Sequence, residues 1–209
     1  LLPVLKEYRT LYPGIRLKIS NHSTPQALDA IRNGIADFAV VTTPTLPSEL
    51  LEETTVRNFR EVAVCGSAFP ALLGKEVGFA ELLTYPLVSL GAGTQSFTLY
   101  SRFFAEEGLR YRPEIEAATA DQILPMVKAE LGIGFVPEDF LAGAEGISVI
   151  RTEKALPERE IRLLKRREQP LSLAAKELER LILSTVPKWK PTQSAPPEKP
   201  PFSPPDQMP

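Results

Sequence analysis

The chain has 209 residues, 43% of them hydrophobic and 24% charged, enough apolar material for one sizeable core or two small ones. Its 24 basic and 26 acidic residues leave a formal charge of −2, so no broad positive field is available to hold a phosphate backbone. A single cysteine, Cys65, excludes an internal disulfide and reads as a buried thiol in a reducing compartment; no stretch approaches the roughly 18 apolar residues of a membrane span, and no basic-then-apolar leader opens the chain.

Residues 1–12 carry Leu1, Leu2, Leu5 and Tyr8 at helical spacing, and Pro13-Gly14 stops that helix. Ile15, Leu17 and Ile19 then alternate with Arg16, Lys18 and Ser20, which predicts a half-buried strand. Ser23 or Thr24 caps a second helix, with Pro25 in its first turn and Asn33-Gly34 at its end. Residues 37–41 form an apolar run expected of a strand covered on both faces. A solvated stretch with Glu49, Glu52 and Glu53 follows, then another buried strand at 60–66. The helix-alternating order predicts a mainly parallel sheet with ligands at the carboxyl ends of its strands.

The pattern then repeats as a second α/β lobe. Strand 87–90, the small-residue loop 91–96, helix 97–107 and strand 115–119 lead to helix 121–130 and the buried strand 132–137, which ends in proline. Strand 147–151 leads out, residues 160–166 set Ile161, Leu163 and Leu164 among basic neighbours, and residues 173–186 form an amphipathic helix expected to pack back on the first lobe. Residues 187–209 hold nine of the 21 prolines and read as a disordered tail.

The order of helix, Tyr12-Pro13-Gly14, alternating strand, Ser23-Thr24 loop, helix ending in Asn33-Gly34, then Ala36-Asp37-Phe38-Ala39-Val40-Val41, resembles the effector-binding domain of LysR-type transcription regulators. Leu131 to Pro137 resembles that family's glycine-rich strand running into a proline, and the segments from Glu160 and Pro170 resemble its closing strand and helix. The resemblance spans about 185 residues and implies two Rossmann-like lobes joined by two crossovers, as in type II periplasmic binding proteins. Lobe I is expected at 1–65 plus 155–186 and lobe II at 66–154, with crossovers near Cys65 and residues 150–156. The family's winged helix-turn-helix and its first strand are expected to lie before Leu1, so DNA is contacted only through that missing N-terminal part.

In such a fold the cleft is lined by loops at strand ends, where backbone N–H groups and helix N-termini suit polar or anionic ligands. Candidate effector contacts are Ser23, Thr24, Thr42, Thr43, Gly93, Thr94, Gln95 and Ser96, with Thr119, Ala120, Val136 and Pro137 as pocket walls. Every one of the hydroxyls reads equally well as a cap or turn residue. The loops lack arginine and lysine, so an organic acid, inorganic anion or amino-acid-like metabolite would be held by N–H groups and hydroxyls. His22 is the only histidine, which leaves no material for a multi-histidine metal site or a serine triad; no cofactor is expected. Gly132-Ile133-Gly134 is not a dinucleotide fingerprint, because a strand and Pro137 follow where a helix is needed.

The resemblance also implies a homodimer or homotetramer pairing Leu2, Leu5 and Tyr8 of the first helix with Ile123, Met126 and Val127 of a partner, residues that serve equally as core. The expected function is effector sensing in a cytoplasmic transcription regulator with no membrane partner. A periplasmic solute-binding protein of a transporter is the alternative, and an enzyme on the same fold would need acid, base or cofactor-bearing side chains that the loops do not supply.

Overall fold

The computed structural model describes residues 1–45 and 48–185; Val186 and the expected tail at 187–209 lie outside the described residues. Helix α1 (Leu2–Leu11) has proline in its first turn and buries Val4 and Tyr8 on one face. The Tyr8 hydroxyl donates to the Ala174 carbonyl at 2.9 Å, fastening α1 to the closing helix α6 (Leu173–Thr185). Helix α2 (Thr24–Arg32) buries Ala27, Leu28, Ala30 and Ile31. It ends as its Asn-Gly signal predicts: Gly34 takes φ +69°, and the Gly34 and Ile35 N–H groups return to the Ile31 and Ala30 carbonyls.

The smaller sheet has the order β1-β9-β2, formed by β1 (Phe38–Thr42), β2 (Leu51–Phe59) and β9 (Arg159–Arg166). Both pairings are antiparallel, which corrects the expectation of a mainly parallel first lobe. The cause is connectivity: β2 leaves this lobe and β9 returns to it, so they run in opposite senses side by side. β2 also replaces the solvated stretch read around Glu52 and Glu53. Its Leu51, Val56 and Phe59 are buried, a bulge between Thr55 and Arg57 re-phases the alternation, and Glu53 is paired with Arg162 at 2.8 Å. The strand expected at Ile15 to Ile19 is not hydrogen-bonded into a sheet. Ile15 and Leu17 still rest on the lobe's core, so the apolar alternation is used while the ladder is not.

The larger sheet has six strands in the order β4-β8-β3-β7-β5-β6. They are β3 (Glu61–Cys65), β4 (Glu76–Val77), β5 (Leu87–Leu90), β6 (Ile115–Ala117), β7 (Ile133–Pro137) and β8 (Ser148–Thr152). β5 pairs parallel with β6 and β7, whereas β3 pairs antiparallel with β7 and β8. Because β3 belongs to this sheet, the first crossover falls at Arg60, ahead of Cys65; the second falls between Thr152 and Arg159. Phe59 and Arg159 are paired, so the two crossovers lie side by side.

One face of the larger sheet is covered by α3 (Phe79–Leu82) and α4 (Gln95–Glu106), enclosing Tyr100, Phe104, Tyr111 and Phe135. The other is covered by α5 (Ile123–Lys128), which packs Ile123 and Val127 on Val64, Val88 and Val136. The glycines of β7 follow from these close approaches. A Cβ on Gly132 would stand 2.4 Å from the Pro86 carbonyl oxygen, and one on Gly134 would stand 2.8 Å from the Ile123 side chain. Gly132→Ala is therefore expected to lower stability by about 1–3 kcal/mol, an overpacking cost read as a shifted urea midpoint.

Candidate functional site

A cavity of about 670 Å³ opens between the lobes and continues into lobe I beside β1. Thr42 at the end of β1, Ser23 and Thr24 at the start of α2, and Thr94, Gln95 and Ser96 at the start of α4 all line it, with Thr119, Ala120 and Pro137. Two helix N-termini thus face one cleft from opposite lobes, and their partial positive ends favour an electron-rich ligand. Three candidate residues do not line the cavity. Val136 is 1% exposed in the core, Gly93 sits in an exposed turn, and the Thr43 hydroxyl accepts from the Glu160 N–H at 2.8 Å.

The hydroxyls of the cleft differ in their hydrogen bonds. Thr94 donates to the Gly91 carbonyl at 2.9 Å and accepts from the Phe97 N–H at 3.2 Å, so it is the N-cap of α4. Ser23 donates to Gln26 at 3.0 Å, and the same side-chain oxygen accepts the Ser23 N–H, which ties both groups into the start of α2. The Thr42 and Ser96 oxygens are engaged differently: both accept from one nitrogen of Arg159, at 2.8 and 3.0 Å.

Arg159 is the group that reading the loops for cations missed. It opens β9, its side chain is 4% exposed, and its other nitrogens donate to the Thr43 carbonyl at 2.6 Å and to Glu61 at 2.8 Å. Glu61, 7% exposed, also accepts from the Tyr100 hydroxyl. Burial first, and then the Glu61 charge, pushes the Tyr100 hydroxyl well above its usual range and keeps it a neutral donor. Arg159 also lies 5.5 Å over the Phe59 ring. The only sequence signal was two opposite charges, Glu61 and Arg159, each the first residue of a strand. Arg57, Phe59, Leu90 and Phe140 are further cavity-lining residues that the sequence reading did not single out.

The exposed rim is bridged as well. Asn21 of lobe I donates to Asp121 of lobe II at 2.8 Å, Arg57 pairs with Asp139, and Arg60 pairs with Glu138 at 3.8 Å. The hydrogen bonds from Thr119 and then Asn21 hold the Asp121 carboxyl below its ordinary value of 3.8. A lowered folded value means the Asp121 contribution is present above that ordinary value and is lost as pH falls through the lowered one. Asn21→Ala should raise the Asp121 midpoint in a carboxyl NMR titration, and an unchanged midpoint would show that the rim bridge is not formed in solution.

Of the residues considered for pairing between copies, Tyr8, Ile123 and Val127 are buried within this chain, Leu5 and Met126 are partly covered, and Leu2 is 78% exposed. Among the described residues, no group of three or more His, Cys, Asp and Glu side chains is placed to hold a metal ion, and no helix is long and apolar enough to cross a membrane.

The profile of the LysR substrate binding domain matches residues 1–187. The chain belongs to this family. The transcriptional activator CmpR of Synechocystis is 28% identical over 148 residues, covering 69% of this chain and 47% of that protein. The chain thus spans about half the length of the curated relatives it matches. Among solved structures, the CcmR regulatory domain of Synechocystis in complex with 2-PG has a TM-score of 0.74 at 17% identity, covering 88% of this chain and 90% of that one. The effector-binding domain of QuiR in complex with shikimate has a TM-score of 0.75 at 14% identity, covering 88% and 89%. The fold is that of LysR effector-binding domains, two lobes of the type II periplasmic-binding kind. The curated relatives are LysR-type regulators, a family of transcription regulators and not of enzymes or transport proteins.

Proposed function

We propose that this LysR substrate-binding domain senses a small-molecule effector by closing its lobes around it, within a cytoplasmic transcription regulator whose DNA-binding part is a separate domain. The observation that carries the reading is the cleft: hydroxyls and helix N-termini from both lobes converge on one cavity. Its walls supply hydrogen-bond donors and aromatic surface, which suits the binding of a small polar ligand. A ligand touching both lobes binds the closed form better and shifts the population toward it. The CcmR regulatory domain was solved with 2-PG and QuiR with shikimate, which makes small polar acids the first class to try.

The regulator acts as a homodimer or homotetramer. Leu2 of α1 is 78% exposed and offers an apolar contact that the core does not use. The test is titration calorimetry of the intact protein with 2-PG, shikimate and a panel of organic acids, paired with small-angle scattering. Saturable binding with a smaller radius of gyration is the expected result; absence of binding to every compound by the folded protein would overturn the reading.

A further inference from the structure

Arginine donates hydrogen bonds and accepts none. The Thr42 and Ser96 oxygens that receive its nitrogen are therefore acceptors in those contacts, and each keeps its own O–H to give away. Among the described residues, neither hydroxyl donates to a protein group, although Ser96 is 8% exposed and both residues line the cleft. Since they share one nitrogen, the two oxygens lie within two hydrogen-bond lengths of each other. One comes from β1 in lobe I and the other from α4 in lobe II.

We propose that Arg159 is a positioning residue: it holds Thr42 and Ser96 as a converging pair of hydroxyl donors for one oxyanionic group of the effector, a carboxylate or a phosphate. This deepens the sensor reading and rests on it. The guanidinium draws electron density from both hydroxyl oxygens, which makes their O–H groups stronger donors, and charge-assisted chains of this kind are stronger than neutral ones. Glu61 neutralises the arginine behind the cleft, so the site presents directed donors and not a bare cation. Phe59, Leu90 and Phe140 line the same cavity and suit an apolar body on the acid.

The experiment is calorimetry on the intact protein with benzoate, phenyl phosphate and the neutral isostere benzamide, alongside shikimate and 2-PG. It compares the natural sequence with Arg159→Gln/Glu61→Gln, which removes both buried charges together, and with Thr42→Val/Ser96→Ala, which leaves them in place. In the natural sequence an anion should bind at least about tenfold more tightly than benzamide, the scale of one charge-assisted hydrogen bond. Both double variants should lose that preference while benzamide binding and cooperative unfolding persist. A preference for benzoate over phenyl phosphate assigns a carboxylate, and the reverse a phosphate. Equal binding of benzamide and the anions, or an undiminished anion preference in a folded Arg159→Gln/Glu61→Gln protein, overturns the proposal and leaves the sensor reading standing. Failure of every compound to bind overturns both.

Discussion

Arg159→Ala is expected to cost about 3–5 kcal/mol of folding stability, because removing one partner of a buried pair strands the other. The Glu61 carboxylate would remain inside the protein with Tyr100 as its donor, and the Thr42 and Ser96 oxygens and the Thr43 carbonyl would each lose a partner. Urea unfolding at neutral pH measures it: the midpoint should fall with little change in slope. Glu61→Gln in the same chain should recover part of the loss, since a neutral amide is far cheaper to bury than an unpaired charge. A double variant as unstable as the single one would show that the cost comes from lost packing against Phe59 and not from the stranded charge.

Phe104→Ala is expected to cost a similar amount, about 3–5 kcal/mol, by leaving a cavity at the centre of the lobe II core. Phe104 is fully buried, stacked on Tyr111 with ring centroids 5.3 Å apart and set against Phe79 at 5.2 Å and Phe135 at 5.9 Å. The loss should be detectable by thermal unfolding and by weakened amide protection along α4. Ser96, Tyr100 and Phe104 stand four residues apart on α4 and are all buried, so one helix face carries a cleft hydroxyl, the partner of Glu61 and the core anchor. Loosening Phe104 therefore reaches the cleft through Tyr100, and effector affinity should fall together with stability. A destabilised variant with unaltered affinity would separate the two.

Helices α2 and α4 and strand β7 were legible because each had a local signal: caps and Asn-Gly for α2, the small-residue loop for α4, and glycines closing into Pro137 for β7. Strand β2 was not, because Glu52 and Glu53 look solvated until Arg162 and Lys165 of β9 are placed beside them. The alternation at Ile15 to Ile19 predicted a buried face correctly but not a ladder, since pairing depends on a neighbour that local pattern cannot supply. Thr42 and Ser96 were legible as loop hydroxyls, yet nothing in the sequence separated them from Thr94 or Ser23. The separation depends on Arg159, more than sixty residues away from Ser96, and a contact of that range leaves no local trace.

The side-by-side crossovers also decide how the lobes can move. Two connections anchored together by the Phe59 and Arg159 pairing, with the Glu138 N–H held on the Arg60 carbonyl at 3.0 Å, define a pivot line. Rotation about such a line displaces atoms in proportion to their distance from it. Thr42 and Ser96, both bonded to Arg159, sit at the short end of this lever, and the rim bridges that do not touch the crossovers ride on the long arm. On the proposed sensor reading, a shift of a fraction of an ångström at those two hydroxyls would be returned as a larger excursion at the surface, where a second copy of the chain would read it.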